Sequence, residues 1–123
     1  MKSVLLVGAG GFIGAALRYG VGQWVSPWTA DWRFPAATFA VNILGCLAAG
    51  LLMALATKQG FFSPNVRLVL FFGLLGGFTT FSAFGLEAVA LLQRQEYLIA
   101  ALYVAGTLVA GFIAVGIGGA SVR

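Results

Sequence analysis

Only three short polar breaks interrupt the apolar residues of this 123-residue chain. The first is Ser26 to Pro35, which carries Trp28, Asp31, Trp32 and Arg33. The second holds Lys58-Gln59-Gly60 and Ser63-Pro64-Asn65, and the third is Gln93-Arg94-Gln95-Glu96. The stretches between them are too apolar to be the half-exposed elements of a soluble domain, because a short soluble chain leaves most of its residues at the surface. With 61% hydrophobic and 8% charged residues and a mean hydropathy of +1.02, the chain is predicted to be an all-α integral membrane protein. It forms a single domain over residues 1–123, with four transmembrane helices of about 20 residues each. The expected spans are Lys2 to Trp24, Phe34 to Thr57, Val66 to Leu92 and Tyr97 to Gly118. The first is read as a mature helix and not as a cleaved signal, since its apolar run continues through Arg18 to Trp24 and further spans follow. Trp24, Trp28 and Trp32 suit the headgroup zone, and Pro64 suits a helix start.

Charge excludes several functions. The net charge of +4 is spread along the chain, so the basic stripe of a nucleic-acid binder is missing. There is no histidine and one cysteine, Cys46, which argues against a zinc or redox-metal centre. With four spans, Lys2, Lys58, Arg67 and Arg123 fall on one side of the membrane, and Arg33 and Arg94, with Arg18 near its helix end, on the other. Orientation follows the Lys/Arg difference between short loops, and so small a difference suits a chain that inserts both ways round.

The stretch Gly76-Gly77-Phe78-Thr79-Thr80-Phe81-Ser82-Ala83-Phe84 is the place where the third span does more than dissolve in lipid. Adjacent glycines weaken a helix, so the helix is predicted to break at Gly76-Gly77. Broken backbone at membrane depth survives only where protein or a water-filled cavity covers it, and transport proteins build ion sites from such half-helix ends. Phe81 and Phe84, three residues apart, share a helix face and can turn positive ring edges to a small anion. Thr79, Thr80 and Ser82 interleave hydroxyls with them. Asn42 is the only amide in the middle of the second span and offers two donors. An anion held by neutral donors is bound weakly enough to leave, which favours a pore. Carbonyls freed at the break suit a hard monovalent cation. Arg18 and Glu87 are the two ionisable residues well inside spans, and such residues are functional candidates by default. Small pairs at packing spacing, Gly10 and Gly14, Gly73 and Gly77, Gly116 and Ala120, allow close helix approach.

A decoy lies at the N-terminus. Gly8, Gly11 and Gly14 follow the spacing of some dinucleotide-binding turns, with Asp31 at a distance that suits a ribose contact. That motif needs a βαβ context, and the apolar segments around it supply none.

The run Gly76 to Phe84 with Glu87 after it, the segment Thr38 to Cys46 and the segment Gly10 to Arg18 together resemble the bacterial fluoride channels, the Fluc or CrcB family. The resemblance covers nearly the whole chain: its length, four spans, loop lengths and order of motifs. It implies an antiparallel, dual-topology homodimer with two fluoride pores in the cell (inner) membrane. It implies a structural sodium ion at the dimer interface, held by backbone carbonyls of Gly76 and Thr79 from each subunit. It implies that Phe81, Phe84 and Asn42 line the pore and that a polar track runs past Tyr103 and Thr107. The chain departs from the pattern at Gly111, where a hydroxyl is expected one turn on, and at Ala83 and Gly85.

The expected function is therefore passive, fluoride-selective export that lowers fluoride toxicity, without enzymatic activity. The expected partners are fluoride, membrane lipid and a second copy of the chain. Two rivals are a small dual-topology multidrug exporter and a non-conducting assembly subunit. The first would carry a membrane glutamate in its first helix, where this chain has Arg18.

Overall fold

In the computed structural model, which describes residues 1–58 and 60–122, every regular element is helical. Helix α1 runs Lys2–Thr29 and α2 Ala36–Ala56. The third span, Pro64–Gln93, is assembled from pieces. A short α3, Pro64–Arg67, leads into a π-helical stretch Leu68–Leu75, then α4, Gly76–Phe78, and, after a gap, α5, Phe81–Gln93. Helix α6 is Tyr97–Ala120. Each of the four spans is long and apolar enough to cross a bilayer, and α1, with 28 residues, extends about 42 Å.

The first span outlasts its expected end at Trp24. Helix α1 continues through Pro27 to Thr29, so the first loop is shorter than predicted. Proline withholds one ladder N–H, but it sits in the last turns, where two hydroxyls bond the helix carbonyls. Ser26 Oγ donates to the Gly22 carbonyl at 2.7 Å and Thr29 Oγ1 to that of Val25 at 3.2 Å. The third span starts as expected, with Pro64 at its first position and Ser63 Oγ accepting from the Val66 N–H at 3.2 Å. Arg67 closes the preceding helix by donating from Nη2 to the Ala56 carbonyl at 2.7 Å. Gln59 of the second break and Arg123 of the charge balance lie outside the described residues.

The break in the third span is not at the glycines. Gly76 is helical at φ −61° and ψ −37°, and the extended residues are Thr79 (φ −84°, ψ 155°) and Thr80 (φ −146°, ψ 117°). Two adjacent β-branched residues favour extended backbone. Gly77 serves packing instead. A Cβ there would lie 2.6 Å from the Gly11 carbonyl oxygen, so α1 and the third span touch backbone to backbone. The pairs Gly10/Gly14 and Gly73/Gly77 do meet at this crossing. Gly116 does not pack: the space around it is open, and it is Gly118, against Leu47 of α2, that fills that role.

The result is two layers, α1 along the third span and α2 along α6. A core of Phe84, Leu91, Ala100 and Tyr103, flanked by Phe34, Phe39, Ala88 and Ile99, joins α2, α5 and α6. The α5–α6 connection is a tight C-cap. Gln95 takes a left-handed conformation at φ +60°. The Gln95 N–H bonds the Leu92 carbonyl at 3.0 Å and the Glu96 N–H bonds that of Leu91 at 2.9 Å, the double bond of a Schellman turn. That turn fixes Glu96 at the head of α6.

Candidate functional site

The site is built around two residues of extended backbone. In a continuous helix the Thr80 N–H would serve the Gly76 carbonyl; here it donates to Asn42 Oδ1 at 2.8 Å. Asn42 Nδ2 in turn donates to the Thr80 carbonyl at 3.0 Å. The amide of α2 thus pairs with the gap as a neighbouring strand would. Gly45, one turn on, permits this approach, because a Cβ there would collide with the Thr79 methyl. Thr80 also caps α5: its Oγ1 accepts from the Ala83 N–H at 3.1 Å, which deprives the Thr79 carbonyl of its helical partner. Thr79 returns its own hydroxyl to the Leu75 carbonyl at 2.9 Å.

Arg18 reaches the same gap from α1. Its Nε donates to the Gly77 carbonyl at 3.0 Å, the bond that Phe81 would supply in an unbroken helix. A cation at the carbonyl end of a half-helix also opposes the negative pole of its dipole. The contact lies within the span itself, at the interruption of the third span. Glu87 lies elsewhere, on α5, where Thr38 Oγ1 of α2 donates to its Oε1 at 2.5 Å. Thr38 was not singled out as a site residue. Its partner is 49 positions away, and no local spacing reveals such a pair.

A groove of about 460 Å³ opens beside the gap, lined by Asn42, Thr79, Thr80, Phe81, Phe84 and Thr107, with Gly76 in its wall. The structure therefore brings together most of the residues expected to carry an anion. Ser82 is exposed and does not line the groove, but its Oγ lies 3.3 Å from Thr80 Oγ1, which does. Tyr103 is fully buried behind Phe84, their ring centroids 5.1 Å apart. The Tyr103 hydroxyl and Thr107 Oγ1 are buried without a hydrogen-bond partner among the described residues. Native folds seldom leave such groups unpaired. Gly111 lines the groove, where a Cβ would lie 3.4 Å from Cys46 Sγ, and Gly85 faces open space.

Phe81 and Phe84 are neighbours, with ring centroids 5.8 Å apart at 51°, but their surroundings differ. Phe84 is 8% exposed and Phe81 82%. Three residues fall 60° short of a full turn, enough to turn one ring into the core and leave the other projecting from the chain. On the far side, Phe34 meets Tyr103 edge-to-face at 5.3 Å and 87°, and Phe39 meets Phe34 at 5.3 Å and 73°. Phe34 opens the second expected span, and nothing in the local sequence signals its contact with Tyr103.

Arg18 and Thr38 line a second groove of about 200 Å³, and Thr80 belongs to both grooves. The gap is thus a thin polar wall between two concavities. Among the described residues no three His, Cys, Asp or Glu side chains come together to hold a metal. A cation at this level would rest on carbonyl oxygen, and the Gly76 and Thr79 carbonyls are those whose helical donors are engaged elsewhere.

The chain is similar to a known family over nearly its full length. The sequence profile described as "CrcB-like protein, Camphor Resistance (CrcB)" matches residues 5–119. A protein of Methylobacillus flagellatus named "Fluoride-specific ion channel FluC" is 50% identical over 118 residues, 96% of this chain and 92% of that one. A protein of Chlorobium chlorochromatii with the same name is 48% identical over 120 residues, 98% and 92% of the two chains. One of Oceanobacillus iheyensis, again so named, is 41% identical over 123 residues, 100% and 91% of the two chains.

Proposed function

The chain belongs to the CrcB family, and from that membership we propose that it is a fluoride-selective channel subunit that lets fluoride leave the cell passively. It is a multi-pass membrane protein, and it is a channel-family protein, not an enzyme. Hydrogen fluoride crosses a bilayer as a neutral molecule and ionises inside, and the trapped anion then needs a pore. The observation that carries the reading is the groove at the broken third span, where neutral donors and ring edges converge within the fold of a family whose members are named for this ion. Asn42 still has one amide hydrogen beyond the one given to Thr80. The hydroxyls of Tyr103 and Thr107 are buried donors in want of an acceptor. Phe81 and Phe84 supply edges. Weak neutral donors let a small anion shed water and leave again.

The functional unit is an antiparallel homodimer. Phe81 stands 82% exposed on the single chain, beside a groove that stays open on one side. The near-balanced Lys/Arg count favours insertion in both orientations. In such a dimer the Gly76 and Thr79 carbonyls of two copies would meet at the two-fold axis. A sodium ion held there would neutralise carbonyls that cost several kcal/mol each when left bare in hydrocarbon, and its charge would favour an anion in the neighbouring grooves.

A fluoride electrode outside liposomes that carry purified protein tests the proposal. Fluoride-loaded vesicles are expected to empty and chloride-loaded vesicles to hold their content. Comparable chloride efflux refutes selectivity, and proton-coupled drug efflux without fluoride flux would favour the exporter reading.

A further inference from the structure

The rings described above form one unbroken series. From the groove outward it runs Phe81, Phe84, Tyr103 and Phe34, at centroid distances of 5.8, 5.1 and 5.3 Å. The first three belong to the expected pore. The fourth sits in the connection between α1 and α2, where the chain leaves the membrane, and is only partly covered. Its neighbour Arg33 holds the head of α6, with Nη1 3.5 Å from Glu96 Oε1. The other carboxylate oxygen of Glu96, Oε2, is buried with no hydrogen-bond partner among the described residues. Tyr103 and Thr107, four residues apart, share one face of α6, and Glu96 is the residue that precedes its first turn. All three carry an unpartnered buried oxygen. The polar file of α6 therefore does not end at Tyr103. It extends to the head of the helix, to a carboxylate paired with Arg33, the neighbour of Phe34.

We propose that Arg33 and Phe34 form the mouth of the anion path, Phe34 as its outermost ring edge and Arg33 as the charge that cancels Glu96. The inference rests on the channel reading above. A small anion passing Tyr103 leaves beside Phe34, whose ring stands perpendicular to the tyrosine ring. A half-buried carboxylate at that point would repel it, and the side chain of Glu96 is only 21% exposed against 75% for Arg33. The arginine thus does more than pin a loop. It sets the sign of the potential where the ion meets water.

Single and double substitutions measured by fluoride-electrode efflux separate this from simple packing. Arg33→Ala leaves the carboxylate uncancelled and should slow fluoride about threefold or more, with the loss shrinking as ionic strength rises. Glu96→Gln leaves the arginine and should speed fluoride about twofold. The double change Arg33→Ala with Glu96→Gln should return to within about twofold of the unaltered protein. Phe34→Leu keeps bulk without a ring edge and should slow flux about tenfold, and Phe34→Trp should recover most of it. A clamp with only a structural role would make Arg33→Ala and Glu96→Gln fail alike, and that result overturns the proposal, as does full flux in Phe34→Leu. Size-exclusion chromatography checks that each variant assembles. If Phe34→Leu does not, Phe34→Met carries the same expectation. Unaltered protein that carries no fluoride overturns the channel reading itself, whereas a conducting protein indifferent to Arg33→Ala, Glu96→Gln and Phe34→Leu overturns this inference alone.

Discussion

Asn42 and Thr80 are joined by two hydrogen bonds, Nδ2 to carbonyl at 3.0 Å and backbone N–H to Oδ1 at 2.8 Å. One side chain of α2 thereby satisfies both main-chain groups of the residue at which the third span is interrupted. Asn42→Ala leaves both bare and should cost about 1–3 kcal/mol for each. Asn42→Asp keeps the acceptor and loses the donor, so it should fall between. Thermal unfolding of the protein in detergent, set beside fluoride efflux, checks the order Asn, Asp, Ala.

Arg18 should behave as a structural cation of the gap. Its Nε bonds the Gly77 carbonyl, so Arg18→Ala exposes that oxygen and should lower stability by roughly 1–3 kcal/mol. Arg18→Lys keeps charge but loses the planar fork and should recover part of this. Equal stability of all three proteins in an unfolding series would show the bond to be incidental.

Phe81→Ile and Phe84→Ile should both reduce fluoride flux strongly, since each removes a ring edge. Their effects on stability should differ. Phe84 is in the core and Phe81 projects from it, so Phe84→Ile should destabilise the chain by about 1 kcal/mol or more and Phe81→Ile should show its effect in the assembled dimer. Near-normal flux in both would reduce the rings to packing.

The two glycines of the third span should respond differently to alanine. A Cβ at Gly76 meets nothing closer than 3.7 Å, and one at Gly77 comes within 2.6 Å of Gly11. Gly76→Ala should be tolerated, with conduction and the proposed cation site intact, and Gly77→Ala should impair assembly. Thr79→Ser should also keep the cation, because the ligands proposed there are backbone oxygens. A sodium titration of liposome flux for the three variants provides the check.

A tag on the C-terminus should be accessible from both sides of the membrane within one cell population, as the near-equal Lys/Arg count of the two sides predicts. A single orientation in every molecule excludes the antiparallel dimer.

The four spans and an interruption within residues 76–84 were readable because hydropathy and helix-weakening residues are local signals. The position of the break was not. Glycine weakens an isolated helix but also lets two helices touch, and at Gly77 the contact with α1 wins, which leaves the interruption to Thr79 and Thr80. Long-range partners were equally hidden. Arg18 finds a carbonyl 59 positions away and Thr38 a carboxylate 49 away, and no periodicity encodes either. Glu96 read as a turn residue because its burial depends on how α6 starts, which a left-handed Gln95 decides.

The groups that heal the gap at Thr79 and Thr80 both come from earlier in the chain, Arg18 in α1 and Asn42 in α2. During synthesis, the first two helices can therefore already wait in the bilayer when the interrupted segment arrives. Its bare carbonyls and amide meet prepared partners at once, where in lipid alone each would cost several kcal/mol. Gene order here doubles as an insertion schedule. A circular permutant that begins at Ser63 presents the gap first, and it should enter membranes poorly even though every contact of the finished protein remains available to it.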